Sequence, residues 1–486
     1  MRLRSIGIAA FPTVFLSCYH LPIWHGKVTV TAMERASIAK CGTGALTPSG
    51  ATHISRQPYL QSTTTTSTIV AWGSTEAKGD VVVREPGPGG ALVVRAAGEY
   101  AGDADRREER LAAQHRTGKE LAADDIYVMK AELTKLEPGH LYCYQVIADG
   151  APLTELAPLT TAAPPGVKDP VRFVALGDSG TGGAAELAIA QRISAEKFDF
   201  MLFLGDIAYE QGSAAQLQSN FFAVYKDFLR YVPAYTTIGN HERVTRLGRP
   251  YFEAFVLPEP ERYYSFNWGD IHFVAIDTTQ RDAKQLVWLD NDLTNNKLPW
   301  VIVFGHHPMY TNSLRGAQLW IRRAFANIIT RHKVDLVLTG HEHQYERFRI
   351  ADVNYVISGG GGGQLTHFWG RSRAIKQATV HHFLSFEVTA DNLTMKAIDI
   401  SGHEIETVKL AKHGDTTKVK VNDKPEQKEN VVPPEKTIVP DEKIHNEPDD
   451  DIERRKVDPA NPAAPAKPAA PEQPRPTPLA AKPPSS

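Results

Sequence analysis

The sequence predicts an all-β sandwich, then an α/β domain, then a disordered proline-rich tail, and three observations carry that reading. Between residues 50 and 165, the short runs "STIVAWGS", "DVVVRE", "ALVVRAAG", "IYVMKAELTKL" and "LYCYQVIADG" are rich in β-branched and aromatic residues. Gly, Pro and charged turns separate them, as expected of consecutive antiparallel strands. After the linker "TAAPPGVKDP", over residues 170–405, strand-like runs alternate with stretches whose apolar residues recur at helical spacing. That alternation predicts a parallel sheet flanked by helices. From Ala411 to Ser486 the chain holds 15 of its 33 prolines and no aromatic residue, with 13 basic against 14 acidic side chains. Such a segment cannot bury enough apolar surface to order itself.

At the N-terminus, "MRLRSIGIAAFPTVFLSC" places two arginines before an apolar stretch of signal-peptide length, too short for a membrane span. Residues 1–25 therefore read as a signal peptide, and export to a periplasm, a cell surface or the medium is expected. The stretch ending at Cys18 resembles a lipoprotein processing site only loosely, because Phe15 and Leu16 fit that pattern badly. The three cysteines, Cys18, Cys41 and Cys143, are too few for a disulfide scaffold or an all-cysteine zinc site. Cys41 and Cys143 can pair after export or remain separate thiols, and the sequence leaves both open. With 54 basic and 56 acidic residues there is no charge excess that would recruit nucleic acid.

Within the β region, Tyr142, Tyr144 and Val146 share one face by the period of two, and that face is expected to point inward. The polar insert "GDADRREERLAAQHRTGKELAADD" reads as an exposed loop or short helix. In the α/β region the strand candidates are "VRFVALGD", "FDFMLFLGD", "AYTTIGNHE", "IHFVAIDT", "WVIVFGHHP" and "VDLVLTGHEH", and after "GGGGGQL" a closing pair of strands is joined at Asp391 and Asn392.

Five of these candidates end alike: a β run, a glycine or turn, then a residue that can bind metal or phosphate. They end at Asp178; at Asp206 and Tyr209; at Asn240 and His241; at His306 and His307; and at His341 and His343. Singly, each has a structural explanation: a helix cap for the aspartates, a turn for "GNH", core packing for Tyr209, and a structural role for His307. Jointly they point to one place, since ligand sites of open α/β sheets gather beyond the carboxyl ends of the strands. Carboxylates, an amide oxygen, imidazoles and a phenol form a mixed O/N set suited to Fe, Zn or Mn. The donors are too many for one ion, which predicts a dinuclear centre with ions about 3.5 to 4 Å apart.

"GDSG", "GDIAY", "GNHE", "VFGH" and "GHEHQYER" resemble the GDxG, GDxxY, GNH[ED], VxxH and GHxH signatures of purple acid phosphatases, within the calcineurin-like metallophosphoesterase superfamily. "RQPYLQSTTTTSTIVAWGS" resembles the start of the fibronectin type III-like domain that precedes the catalytic domain in many members. The resemblance spans residues 55 to 405. It implies an α/β/β/α metallophosphoesterase domain behind a fibronectin III-like sandwich. It also implies that Asp178, Tyr209 and His343 bind a ferric ion, that Asn240, His306 and His341 bind a divalent ion (Fe, Zn or Mn), and that Asp206 bridges them.

Asn240 and His241 would face the substrate phosphate, His241 as the acid that assists the leaving group, and Glu242 would orient its neighbours. The implied activity is an acid phosphatase, in which a metal-bound hydroxide releases inorganic phosphate from small phosphomonoesters. A phosphodiesterase, or a surface binding protein with a vestigial metal site, are the alternatives. One departure stands out: plant members carry a further histidine after the VxxH motif, and "HPMYTNSLRGAQ" has none beyond His307.

Overall fold

Alternating burial builds the first unit from nine strands. They are β1 (Ile54–Gln61), β2 (Thr68–Ser74), β3 (Asp80–Arg84), β4 (Leu92–Ala97), β5 (Glu99–Tyr100), β6 (Tyr127–Leu133), β7 (Leu141–Ala148), β8 (Ala151–Pro152) and β9 (Ala157–Thr160). The computed structural model describes residues 39–42, 53–101, 127–369 and 373–412. The expected signal peptide, the polar insert and the tail beyond Lys412 lie outside the described residues. One sheet runs β1-β2-β6-β5 and the other β4-β3-β7-β8, with β9 also on β7. Tyr142, Tyr144 and Val146 are buried as their spacing predicts.

Cys143, on the opposite face of β7, is also buried, because it is bonded to Cys41 across 102 residues of sequence. The bond ties the short segment 39–42 to the sandwich, where the Lys40 carbonyl also accepts from the Gly87 N–H at 2.9 Å. Closing so long a loop restricts the unfolded chain. Cys143→Ser should therefore lower the unfolding free energy by about 2 to 4 kcal/mol, and a denaturant midpoint unchanged from that of the oxidised wild type would contradict this.

The second unit contains β10 (Val171–Leu176), β11 (Phe200–Phe203), β12 (Ala234–Thr236), β13 (Tyr264–Trp268), β14 (Ile271–Ala275), β15 (Trp300–Phe304), β16 (Leu336–Thr339), β17 (Tyr345–Ile350), β18 (Val353–Ser358), β19 (Lys376–Ala378), β20 (His382–Val388), β21 (Asn392–Asp399) and β22 (Glu404–Ala411). They form a six-stranded sheet, β12-β11-β10-β20-β21-β22, and a seven-stranded sheet, β13-β14-β15-β16-β18-β17-β19. The sheets meet through aromatic rings: Tyr235 stacks on Phe266 at 3.6 Å between centroids, and Phe173 meets Phe273 edge-on at 5.2 Å. Each such ring buried contributes about 1.5 to 3 kcal/mol.

On the outer side of the second sheet, Ile321, Phe325, Ile328 and Ile329 of helix Leu319–Arg331 form a single apolar stripe at helical spacing. The neighbouring helix Ala283–Asn295 starts where the Asp282 carboxylate accepts from the Lys284 N–H at 2.9 Å, a side-chain N-cap. Helix Ala184–Ile193 contacts β20 of the six-stranded sheet and buries Ile189 and Ile193 in the other apolar cluster, so both sheets carry helices, the four-layered arrangement the resemblance implies.

Two features differ from the sequence reading. The hairpin β17–β18 follows the last motif directly, and the closing pair is a trio, because β22 pairs with β21. In β22 only Val408 is buried, so an edge strand with one apolar anchor leaves almost no hydrophobic signature. The sandwich packs on the second unit through specific contacts: the Tyr59 hydroxyl donates to the Ala254 carbonyl at 2.6 Å, the Tyr235 hydroxyl to Thr63 O at 2.6 Å, and Arg56 lies over the Phe222 ring at 3.7 Å. Its β1 contacts β12, the strand that leads to Asn240, where the Gln61 amide donates to the Ala234 carbonyl at 3.2 Å.

Candidate metal centre

Parallel pairing decides where the motif residues go. β10, β11 and β12 are parallel neighbours, as are β14, β15, β16 and β18, so their carboxyl ends open on one side. Beyond β10 lies Asp178, beyond β11 Asp206 and Tyr209, and beyond β12 Asn240 and His241. Beyond β15 lie His306 and His307, and beyond β16 His341 and His343. Of the seven expected metal ligands, the six-stranded sheet thus supplies the oxygen donors and the seven-stranded sheet the imidazoles.

The turns at these ends are tight. Asp178, Asp206 and His341 adopt φ of 57°, 52° and 69°, a left-handed conformation costing non-glycine residues about 1 to 3 kcal/mol each. Such strain persists where the surroundings over-determine it and is concentrated at functional sites. The leading glycines are required by crowding: a Cβ on Gly340 would lie 2.4 Å from Asp178 Oδ2.

All seven residues expected to bind metal are brought together, in two adjoining groups. In the first, the Tyr209 hydroxyl lies 3.2 Å from Asp178 Oδ1 and 3.0 Å from His343 Nε2, and these last two are 3.4 Å apart. In the second, Asn240 Oδ1 lies 3.0 Å from His306 Nε2 and 3.1 Å from His341 Nδ1, and the two imidazole nitrogens are 3.3 Å apart. Asp206 Oδ2 lies 3.2 Å from His306 Nε2, and Asp178, Asp206 and His306 place their donor atoms within 4.8 Å of one another. Asp206 therefore stands between the groups.

These contacts test whether the residues fit metal ions. Around an ion with bonds of about 2.1 Å, neighbouring donors are separated by about 3.0 to 3.4 Å, the spacing found here. The chemistry agrees. His306 Nδ1 donates to the Leu204 carbonyl at 2.8 Å and His343 Nδ1 to the Gln364 carbonyl at 2.7 Å, so in the neutral rings both Nε2 atoms are acceptors facing the centre. His306 Nε2 faces two further acceptors, Asn240 Oδ1 and Asp206 Oδ2, an arrangement that requires a positive charge between them. Without one, His306 holds a proton instead: burial pulls its pKa down, but the Asp206 and Asp178 carboxylates outweigh it and raise it to about 10. Burial, then Asp178 and Asp206, push the Tyr209 phenol well above its ordinary value, so its anion needs a bound cation.

The surrounding residues hold this arrangement. Glu242, completely buried, accepts backbone N–H groups of Asp206 (2.9 Å), Ile207 (3.0 Å), Ala208 (3.0 Å) and Gly239 (2.9 Å). It clamps the aspartate–tyrosine loop onto the asparagine–histidine turn, the orienting role expected of it. His307 packs on His341 with ring centroids 4.3 Å apart and contacts Thr278 Oγ1 at 3.1 Å. With His306 and His341 it forms a second triad that could hold an ion.

His241 sits at the mouth. Its Nδ1 donates to the Glu210 carbonyl at 2.7 Å, its Nε2 is 3.9 Å from Asp206 Oδ2, and its side chain is 26% exposed. Sequence reasoning passed over the run Gly359–Gly363, which walls the first group. The Gly363 N–H donates to the Asp178 carbonyl at 2.8 Å, and a Cβ there would lie 2.6 Å from His343 Cε1. Five successive glycines were the available signal.

Comparison with known proteins agrees with this geometry. Residues 171–345 match the calcineurin-like phosphoesterase family. An uncharacterised protein of Mycobacterium tuberculosis is 27% identical over 334 residues, 58% of this chain and 59% of that protein. Arabidopsis thaliana "Probable inactive purple acid phosphatase 9" is 29% identical over 189 residues, 30% of this chain and 29% of that protein. The chain thus spans less than two thirds of the length of these relatives. The structure of a purple acid phosphatase from yellow lupin seeds superposes with a TM-score of 0.63 at 21% identity, covering 73% of this chain and 74% of that one, which is a likeness of fold.

Fold and site together define a metallophosphoesterase domain, which implies a dinuclear metal centre. Residues 171–345 carry a calcineurin-like metallophosphoesterase domain, purple acid phosphatases are among the proteins this chain is similar to, and its N-terminal β unit fits a fibronectin III-like domain. No helix among the described residues is long and apolar enough to cross a membrane.

Proposed function

We propose that this protein is an acid phosphatase that hydrolyses small phosphomonoesters to an alcohol and inorganic phosphate. The observation that carries the reading is the donor set: seven buried or half-buried O and N ligands, spaced as neighbours in a coordination shell, with none missing. That completeness argues against a vestigial site, the alternative raised by a relative named as inactive. In this reading Asp178, Tyr209 and His343 hold Fe(III), Asn240, His306 and His341 hold a divalent Fe, Zn or Mn, and Asp206 serves both. When bound, the ions supply Lewis acidity and lower the pKa of a coordinated water so that it can serve as nucleophile.

The chain's own residues do the rest. His241 and the Asn240 amide face the phosphate at the mouth. With Nδ1–H committed to Glu210 O, the His241 ring presents Nε2 to the substrate, where a proton can pass to the leaving oxygen as the P–O bond breaks. Glu242 keeps Asp206 and Asn240 in register. Export, supported by the N-terminal pattern and the Cys41–Cys143 bond, belongs to the same proposal.

The test is metal analysis of the purified protein with turnover of 4-nitrophenyl and bis(4-nitrophenyl) phosphate. Two ions per chain and preference for the monoester are expected, whereas preference for the diester would make it a phosphodiesterase. Tyr209→Phe should remove the visible phenolate-to-iron band yet leave the fold intact, since only the hydroxyl near Asp178 and His343 is lost. A band that persists would refute the ferric assignment.

A further inference from the structure

Where plant members carry a second histidine, this chain builds a different device. The alternating residues of "HEHQYER" turn inward beneath the segment Thr311–Gly316. Completely buried Glu346 accepts from the Thr311 hydroxyl at 2.6 Å and from the Asn312 N–H at 2.9 Å, and the Gln344 amide donates to it at 2.7 Å. On its other side the segment is stitched to residues 366–369. The Trp369 N–H donates to Asn312 O at 2.9 Å, Leu314 N–H reaches His367 O at 3.4 Å, and Ser313 bridges Phe368. Thr366 N–H donates in turn to the carbonyl of His343 at 3.2 Å. Both paired segments are therefore anchored to the loop that bears His341 and His343.

The crest of this ridge is exposed, and it carries Arg315, whose Nη1 lies 3.5 Å from the His341 carbonyl. Leu314, 66% exposed, precedes it, and Trp369, 71% exposed, lies on the segment paired with this one. A guanidinium cannot give up a proton near neutral pH, so Arg315 cannot replace a missing acid. What it does well is grip planar anions through paired N–H donors.

We propose that Arg315 is a specificity-determining residue that takes a second anion, such as a carboxylate or a further phosphate, carried by the leaving group of a phosphomonoester. Leu314 and Trp369 cover the apolar body between the two charges. The inference rests on the phosphomonoesterase reading and names its substrate class: aryl or enol phosphates with an anionic substituent. Their leaving oxygen departs with the P–O electron pair and needs little help from an acid.

The experiment compares phenyl phosphate with 3-carboxyphenyl phosphate on the metal-loaded full chain, because the two leaving phenols differ little in acidity. The wild type should favour the carboxylated substrate about 5- to 10-fold in kcat/KM, the range for a charged contact at a partly exposed site. Added salt should erode that preference. Arg315→Ala should abolish it, mainly through KM, and Arg315→Lys should restore part of it. Equal turnover of both substrates by the wild type, or equal losses in Arg315→Ala, would overturn the proposal. If the wild type hydrolyses neither these nor 4-nitrophenyl phosphate, the phosphatase reading itself fails. Calorimetric binding of phenylphosphonate against 3-carboxyphenylphosphonate then still decides Arg315, since a ratio of one would sink it.

Discussion

Asp206→Asn should abolish turnover almost completely, by about 10³-fold or more, equivalent to some 4 kcal/mol of barrier, and should deplete the protein of metal. Asp206 is the side chain placed between the two donor groups: Oδ2 lies 3.2 Å from His306 Nε2, while Oδ1 accepts from the His241 N–H at 3.0 Å. The amide keeps the shape and removes the charge. His306 and His241 hold the Asp206 carboxylate ionised against a strong opposing effect of burial, so the site as built expects an anion there. Metal content and the rise in Tm on adding metal check this together, since a ligand that binds only the folded state stabilises it. A variant that binds two ions with wild-type affinity would show that Asp206 is not shared between them.

His241→Ala should lower kcat by about 10²- to 10⁴-fold while leaving both ions and the visible band in place. Its Nε2 is 3.9 Å from the nearest Asp206 oxygen, beyond the 3.0 to 3.4 Å separations within the two donor groups, and its Nδ1 is committed to a carbonyl. That geometry belongs to a group at the substrate side. The loss should be smaller for 4-nitrophenyl phosphate, whose leaving group departs unaided, than for an alkyl phosphate that needs a proton. Loss of metal in this variant would make His241 a ligand, and equal losses on both substrates would argue against an acid role.

Much of this site was legible because it is written locally. Each donor lies within a few residues of a strand end, and β10, β11, β15 and β16 announce themselves as short, mostly apolar runs that, Arg172 apart, are buried in the structure. Tyr209 was legible for a similar reason, since it follows Asp206 by three positions at one strand end. The hairpin β17–β18 was harder: Tyr345, Glu346 and Arg347 look polar, yet all are buried, because Glu346 braces the Arg315 segment and Arg347 pairs with Glu406 at 2.7 Å. Strand β22 was invisible for the opposite reason, having almost nothing to bury.

The sequence by itself determined which residues end each strand, that they form a mixed oxygen and nitrogen set, and that the chain passes from a β unit to an α/β unit. These follow from periods of two and 3.6 and from spacings of a few residues. The tertiary structure alone decided what depends on distant segments. It bonded Cys41 to Cys143, set Asp206 between the two donor groups, laid Gly363 against His343, and raised Arg315 on buried Glu346 beside His341. Contacts between residues 20 to 102 positions apart depend on strand order and parallel register, and no local pattern encodes these.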